Sequence, residues 1–448
     1  MRRALLLTAV LATLPAGAFA QPVQPPAPPL LLSLPEAVSR GLEHNLSIIL
    51  QEQRTHTAGS ARLAALSELL PHAAADVRAT REVLSTAAFG FTLPGLPTLI
   101  GPFNVYDARV SVSAPILDLA AVSRLRAASA LETAAGADYK QVRETVVLAV
   151  SNLYLMALAD QARVASAGAQ VATAEALLKT AEDQHAAGTV ARIEATRQQV
   201  QLQSARAAAI AAANTLTIHE LQLAHAIGVP AGQSITLTSS SSLAGAAPPS
   251  LEAAVAEAEA NRQDLAAARA RVTAAEATHA AAVAGHLPTL NVDADLGAIG
   301  NTVGSAEKTY AVAARVHVPI FAGGKTQAEA ARSTAELRQR QAELADLEAG
   351  VRYDVQAALL TLQSAGAALE VAKSAESLSR DQLTQAQDRF AAGVAGSIDV
   401  VQAQEAVAKA SEAYIAAQYA NALAKASLAR AIGLAEDELL KMLGGARS

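Results

Sequence analysis

Between residues 104 and 116 the chain alternates: Tyr106, Ala108, Val110, Val112 and Ala114 are apolar, and Asp107, Arg109, Ser111 and Ser113 between them are polar. A period of two is that of a strand with one apolar and one polar face. The pattern returns at Tyr310, Val312, Ala314, Val316 and Val318, with Arg315 and His317 on the other face. A strand precedes it, in which Leu290, Val292, Ala294 and Leu296 alternate with Asn291, Asp293 and Asp295. A weaker strand over 73–80, with Asp76 in the place of Asp293, precedes the first. After each pair the period lengthens to about 3.5, through Val142, Val146, Ala149, Leu153 and Met156, and through Val351, Val355, Ala358, Leu362, Ala365, Leu369 and Ala372. That is the seam of helices packed as coiled coils. With no proline from Pro115 to Pro230, or after Pro319, each run has room for helices of up to about 70 residues, roughly 100 Å long. Gly188 and Gly393 mark turns into returning helices that end at Gly228 and Gly433.

The chain is a duplication. Ser33-Leu34-Pro35-Glu36-Ala37-Val38 recurs as Ser250-Leu251-Glu252-Ala253-Ala254-Val255, and Leu70-Pro71 as Leu287-Pro288. Further on, Ala114-Pro115-Ile116 pairs with Val318-Pro319-Ile320, Ala186-Ala187-Gly188 with Ala391-Ala392-Gly393, and Ala226-Ile227-Gly228 with Ala431-Ile432-Gly433. The first copy is longer only between its strands, in a loop holding Phe89, Gly90, Phe91, Pro94, Gly95 and Pro97. The expected organisation is a Pro-rich lead over 21–32, a first repeat over 33–228 and a second over 250–448, joined by a linker over 229–249. The hairpins fall at about 72–117 and 289–321, and the helical tips near 186–194 and 391–399.

Composition sharpens this picture. Alanine dominates, tryptophan is absent and aromatics make up 3%, which suits long thin helices in close approach better than a thick core. Residues 1–20 read as an export signal: Arg2 and Arg3, an apolar run from Ala4 to Leu14, and Ala18-Phe19-Ala20 before Gln21. No later stretch of about 18 consecutive apolar residues predicts a membrane helix. There is no cysteine, hence no disulfide or thiolate metal site. A net charge of −6, or −8 without Arg2 and Arg3, disfavours nucleic acid as a partner. Phe89, Phe91, Phe103, Tyr106, Tyr310 and Phe321 lie in or beside the hairpins. They read as anchors at a membrane boundary or as ordinary strand aromatics.

Enzyme motifs fail on spacing. His219-Glu220 is followed by Leu223 where a zinc-protease helix needs histidine, and Gly324-Lys325-Thr326 has Pro319 where a phosphate loop needs glycine. Scattered histidines and the two later methionines, Met156 and Met442, make no metal site, so no cofactor is expected. Two amphipathic hairpins cannot close a barrel, and open strand edges cannot sit in lipid. Other copies of the chain should therefore complete the strands, apolar faces to lipid and Asp107, Arg109, Ser111, Asp293, Asp295 and Arg315 to water.

In this order and double occurrence, the residues resemble the TolC family of outer membrane efflux proteins over nearly the whole chain after residue 20. The resemblance rests on the two unequal copies, on Asn45-Leu46-Ser47 and Arg262-Gln263-Asp264-Leu265 after the opening helices, and on the Leu-Pro before each first strand. It rests also on the Ala-Pro-Ile-Leu-Asp and Val-Pro-Ile-Phe-Ala-Gly-Gly strand endings and on the Ala-Gly helical turns. The chain departs from the family at Leu46 and Gln263, where proline is usual. The resemblance implies a mainly α protein with a membrane β-barrel: a homotrimer whose four strands per protomer complete a 12-stranded barrel above a periplasmic helical tunnel. It implies the exit duct of a tripartite efflux pump or type I secretion system in the outer membrane of a Gram-negative bacterium. A periplasmic adaptor and an inner-membrane RND, ABC or MFS transporter would hand it substrate, with no covalent chemistry.

The resemblance also assigns the tips. Ala187, Gly188 and Thr189, with Ala392, Gly393 and Val394, match the turn that receives the adaptor, and Glu194 and Asp399 match the acid that follows. Six such carboxylates in a trimer would favour cations; alternatively each simply complements a helix dipole. The family's latch positions fall here on Ala395 and Phe390, with Arg192 and Arg389 as substitutes or as plain exposed charges. The rival readings are a periplasmic coiled-coil adaptor, whose lipoyl-like β domain is not found, and a helical scaffold, which leaves the alternating strands unexplained.

Overall fold

The structure, a computed structural model, describes residues 30–90, 98–230, 233–238, 249–392, 394 and 396–436. The export-signal reading, most of the Pro-rich lead, Phe91 to Pro97 and Gly393 therefore lie outside the described residues. The first copy runs α1 (Leu34–His44), α2 (Leu46–Ser67), β2 (His72–Ser85), β3 (Leu99–Leu117), α3 (Leu119–Ala186) and α4 (Arg192–Ala226), preceded by β1 (Leu30–Leu32). After β4 (Ile235–Leu237) the second copy repeats the order as α5 (Leu251–Asn261), α6 (Gln263–Ala284), β5 (Thr289–Gly300), β6 (Glu307–His317), α7 (Lys325–Ala391) and α8 (Ser397–Ile432).

The repeated sequence signatures are helix starts. Ser33 and Ser250 accept backbone N–H bonds from Glu36 and Ala253 at 3.4 and 3.3 Å, and Asp118 accepts from Ala121 N at 2.8 Å to open α3. Where the family has proline at 46, Asn45 does the work, its side chain accepting from Ser47 N at 2.9 Å. The long helices hold 68 residues in α3 and 67 in α7, about 100 Å each at 1.5 Å per residue. Each contains an 18-residue window of mean hydropathy 1.4 or 1.2, long and apolar enough to cross a membrane by length and composition alone.

Packing gives the helices a lateral order. α3 lies against α2 and α4 on one side and α6 and α8 on the other, and α7 packs beyond α6 and α8. The strands follow the same order in one antiparallel sheet, β2-β3-β5-β6. One protomer is thus a wall of strands continued by a wall of helices. Its free edges coincide: β2 with α2 and α4 at one side, β6 with α7 at the other.

The cores sit where the short helices meet the long ones. In the first copy Leu34, Val38, Ile48, Val147, Val150, Tyr154, Leu223 and Ile227 pack together with Leu32, Ile235 and Leu237. Those last three belong to β1 and β4, which pair in parallel as Leu30–Ile235, Leu31–Thr236 and Leu32–Leu237. This small sheet falls in stretches read from sequence as Pro-rich lead and linker; three-residue strands carry too little periodicity to announce themselves. The second core holds Ala254, Val255, Ala258, Leu265, Val351, Val355, Ala358, Leu428 and Ile432.

The coiled-coil seam differs between copies. In α7, Val351, Val355, Ala358 and Ala372 are buried along the expected line, with Leu362, Ala365 and Leu369 half buried between them. In α3, Val146 is buried on the expected line, but Val142, Leu153 and Met156 are only half buried and Ala149 is exposed, while Val147, Val150, Tyr154 and Ala157 form an adjacent buried line. At this level α3 is flanked by α1 and the β1–β4 sheet, and a helix covered on several sides buries a broader stripe than a two-helix seam.

Candidate functional site: the polar strand face and the helical tips

Register decides which side chains share a face of the sheet. The pairs Arg78–Asp107, Asp76–Arg109, Ser111–Asp295, Ser113–Asp293 and Asn291–Arg315 place every one of these groups on the same side. The Arg109 guanidinium donates to Asp107 at 3.0 Å and to Asp295 at 3.1 Å, so it ties β3 to β5. Ser113 Oγ donates to Asp293 at 2.7 Å, and Arg315 approaches the same carboxylate at 3.8 Å. The opposite face carries Val77, Val110, Val112, Leu296, Tyr310, Val312 and Val316, all exposed in one protomer. Such a sheet is built to stand between an aqueous space and hydrocarbon.

Phe103 departs from the expectation for the hairpin aromatics. It pairs with Glu82, which puts it on the polar face, whereas Tyr106 and Tyr310 stand on the apolar one. Strand parity, not composition, makes the difference. Phe321, 88% exposed, lies just beyond β6.

At the first tip, α3 stops because Gly188 takes the left-handed conformation, φ +73°. Thr189 then closes the turn, its backbone N–H and its hydroxyl both donating to Gln184 O, at 3.0 and 2.8 Å. Ala187 is the capping residue, and Ala392 is its counterpart on α7. Val394 is 68% exposed while its N–H donates to Arg389 O at 3.0 Å. Glu194, in the first turn of α4, forms a 2.7 Å ion pair with Arg197, and Asp399 occupies the same place in α8 with its side chain exposed. Arg192 and Arg389 face solvent. Phe390 is 5% exposed, wedged between Leu177 of α3 and Val400 of α8. Phe390 therefore packs within its own protomer, where it ties the end of α7 to α3 and α8.

Sequence reasoning passed over a buried and a half-buried acid of the helical wall. Asp160 on α3, 1% exposed, is paired with His219 of α4 and, at 2.7 Å, with Arg163, which bridges to Glu412 of α8. Three neighbouring helices are thereby locked in register. Higher up, Glu144 faces a cavity of about 220 Å³ with Arg262, Asp264, Asp354 and Arg430. Burial, helped by Asp264, pushes the Glu144 carboxyl up to about 7. Burial alone would raise Asp264 too, but the Arg262 guanidinium holds it below the ordinary carboxylate range. An acid placed among apolar heptad positions was the available signal at Asp160; nothing in the spacing distinguishes Glu144.

A sheet with one polar and one apolar face, set on helices about 100 Å long, defines a membrane channel protein with a large extramembrane tunnel wall. The chain belongs to the outer membrane efflux protein family, whose pattern matches residues 39–229 and 254–434, once per copy. No curated protein sequence matches. Among solved structures, the chain is similar to the CmeC outer membrane channel of Campylobacter jejuni, with TM-score 0.78 and 16% identity over 92% of this chain and 90% of that one. It is also similar to the outer membrane protein VceC of Vibrio cholerae, with TM-score 0.76 and 18% identity over 89% and 96%. For the MtrE outer membrane channel of Neisseria gonorrhoeae in its open state the TM-score is 0.71, with 21% identity over 90% of each chain. The protein is an outer-membrane efflux channel with a large periplasmic part, of a family that transports without catalysis and works with adaptors and inner-membrane transporters.

Proposed function

We propose that three copies of this chain close into one conduit, β6 and α7 of each copy meeting β2, α2 and α4 of the next. Four strands per copy then make a barrel of twelve, and the helical walls continue it as a tunnel. The observation that carries this reading is the coincidence of the free edges of sheet and helix wall on both sides of the protomer. Unpaired strand edges cost several kcal/mol per backbone group in lipid, so an isolated copy cannot rest in a membrane. The helical edges point the same way. Val200, Ile210 and Leu221 on α4 and Leu360, Val371 and Leu378 on α7 are at least 58% exposed, and the apolar window of α7 is only 6% buried.

In this assembly Asp107, Arg109, Ser111, Asp293, Asp295 and Arg315 line the barrel lumen. Ala187, Gly188 and Thr189, with Ala392, Gly393 and Val394, receive a periplasmic adaptor that couples the duct to an RND, ABC or MFS transporter. Glu194 and Asp399 form an acidic ring at the periplasmic mouth, and Arg192 and Arg389 are the charges left there to hold it shut. Detergent-extracted protein is expected to have the mass of a trimer and to conduct in planar bilayers; a folded, conducting monomer overturns the assembly. Photo-cross-linkers on cysteines at Thr189 and Val394 are expected to capture the adaptor in intact cells. Glu194→Gln with Asp399→Asn is expected to lower the cation preference of the conductance, and unchanged selectivity removes the ring.

A further inference from the structure

The lipid-facing side of the sheet is almost free of charge, and its exceptions are informative. By register, the outward positions are Ala73 to Arg81 in alternation on β2, Asn104 to Ala114 on β3, Leu290 to Gly300 on β5 and Lys308 to Val316 on β6. The acids Asp76, Glu82, Asp107, Asp293, Asp295 and Glu307 all fall on the other face. Among the described residues of these outward rows, the charged ones are Arg81 and Lys308, both cations and both exposed. They sit at the hairpin-turn end of the sheet, away from the helices and hence on the extracellular side. Arg81 lies across from Asn104, and Lys308 stands two residues from Tyr310, which is 80% exposed. At the periplasmic end the same rows finish in Ala73, Ala114, Leu290 and Val316, without a charge.

An outward cation is tolerated near the interface and not at mid-depth, so the two residues mark where the strands leave the hydrocarbon. A basic rim on one side alone fits a bilayer whose leaflets differ, with phosphate-bearing glycolipid outside. We propose that Arg81 and Lys308 bind the phosphate groups of lipopolysaccharide in the outer leaflet, with Asn104 and Tyr310 offering hydrogen bonds to its headgroup. The proposal rests on the trimeric channel reading, in which β2 and β6 are the strands flanking each seam, so that each junction between protomers carries both cations.

The test uses full-length, delipidated channel titrated with purified lipopolysaccharide and, separately, with phosphatidylglycerol, bound lipid being counted by native mass spectrometry. Arg81→Gln with Lys308→Gln is expected to weaken lipopolysaccharide binding about fivefold per charge removed, and each single substitution to show part of that loss. The swap Arg81→Lys with Lys308→Arg is expected to keep most of it. Unchanged affinity in the double variant overturns the proposal. So does an equal loss in Arg78→Gln, whose side chain faces the lumen, or an equal loss of phosphatidylglycerol, which would make the rim a general phosphate site. Oligomeric mass and conductance of the same samples report separately on the channel reading, so its failure is not mistaken for failure at the rim.

Discussion

The two copies make the same joint with different chemistry. In the first, α1 ends at His44 and α2 begins after Asn45; Gly228, at the end of α4, closes on the joint so tightly that a Cβ there would lie 2.6 Å from His44 Cβ. In the second, α5 gives way to α6 at Arg262, and Gly433 closes on it from the end of α8, a Cβ there falling 2.8 Å from Arg262 N. Both glycines have φ near +70 to +82°, where a side chain is strained. Around the first joint lies an apolar core, with Gly41 against Val150 and Tyr154 fully buried beneath the β1–β4 pair. Around the second lie charges: Arg262 paired with Asp264 at 2.7 Å and Asp354 at 2.9 Å, Glu144 beside them, and Arg143 with Glu436 at 2.6 Å. Duplication fixed the topology, and each half then found its own way of holding the kink. The first joint should ignore salt and pH, and the second should not.

The largest effect expected is at Tyr154. Its ring is 0% exposed, and its hydroxyl reaches Thr238 O at 2.6 Å, so Tyr154→Ala empties the first core and unties β4 from α3. A loss of about 3 to 5 kcal/mol is expected in denaturant unfolding, equal at low and high salt. A salt-dependent loss would show that the first joint is not held by packing. Next comes Arg262→Gln, which leaves two carboxylates without their cation; the side chain is 11% exposed, so its charged hydrogen bonds count for about 2 to 3 kcal/mol. That loss should shrink in high salt.

What could be read in the sequence follows the same division. Alternation at Tyr106–Ala114 and the heptad at Val351–Ala372 are long, regular patterns, and the structure has a strand and a buried to half-buried seam there. The period finds only part of the buried face of α3, Val146 among it, because Tyr154 and Val150 answer to β1, β4 and α1 together, a three-sided environment that no single period describes. The small β1–β4 sheet has no pattern of its own and exists because Tyr154 and the first core need a lid. That the sheet's charges share one face was legible through parity, and parity also puts Phe103 on that face. The Glu144 cluster was not legible: its members come from α3, the α5–α6 joint, α6, α7, α8 and the segment after it, and only the fold brings them together.

Glu144 offers the pH test of the comparison. Its folded-state value of about 7 lies above the ordinary 4.5, so ionising it opposes folding. That penalty is absent below the unfolded value, grows as pH rises between the two, and is complete above about 7. Glu144→Gln should therefore stabilise the protein at pH 8 by about 2 kcal/mol, the full linkage value being discounted because the group keeps some water. At pH 4 the difference should vanish. Unfolding curves at the two pH values decide it, and a stabilisation independent of pH would mean that the gain comes from packing of the amide and not from removing a charge.

The smallest effect is the sharpest test of what replaced proline at the first joint. Asn45 accepts from Ser47 N at 2.9 Å, while Arg262, its counterpart, makes no side-chain cap to α6 and holds the turn through its guanidinium instead. Removing the cap in Asn45→Ala should cost about 1 kcal/mol, unaffected by salt. Adding Leu46→Pro, which presets the backbone at the first position of α2, should restore part of the loss, because proline there forfeits only an N–H that has no partner within the helix. The same restoration cannot work at the second joint, where the lost element is a charge and not a backbone preference. If Leu46→Pro fails to recover stability in the Asn45→Ala background, the side-chain cap does not substitute for the missing ring, and the first joint is held by its apolar core alone.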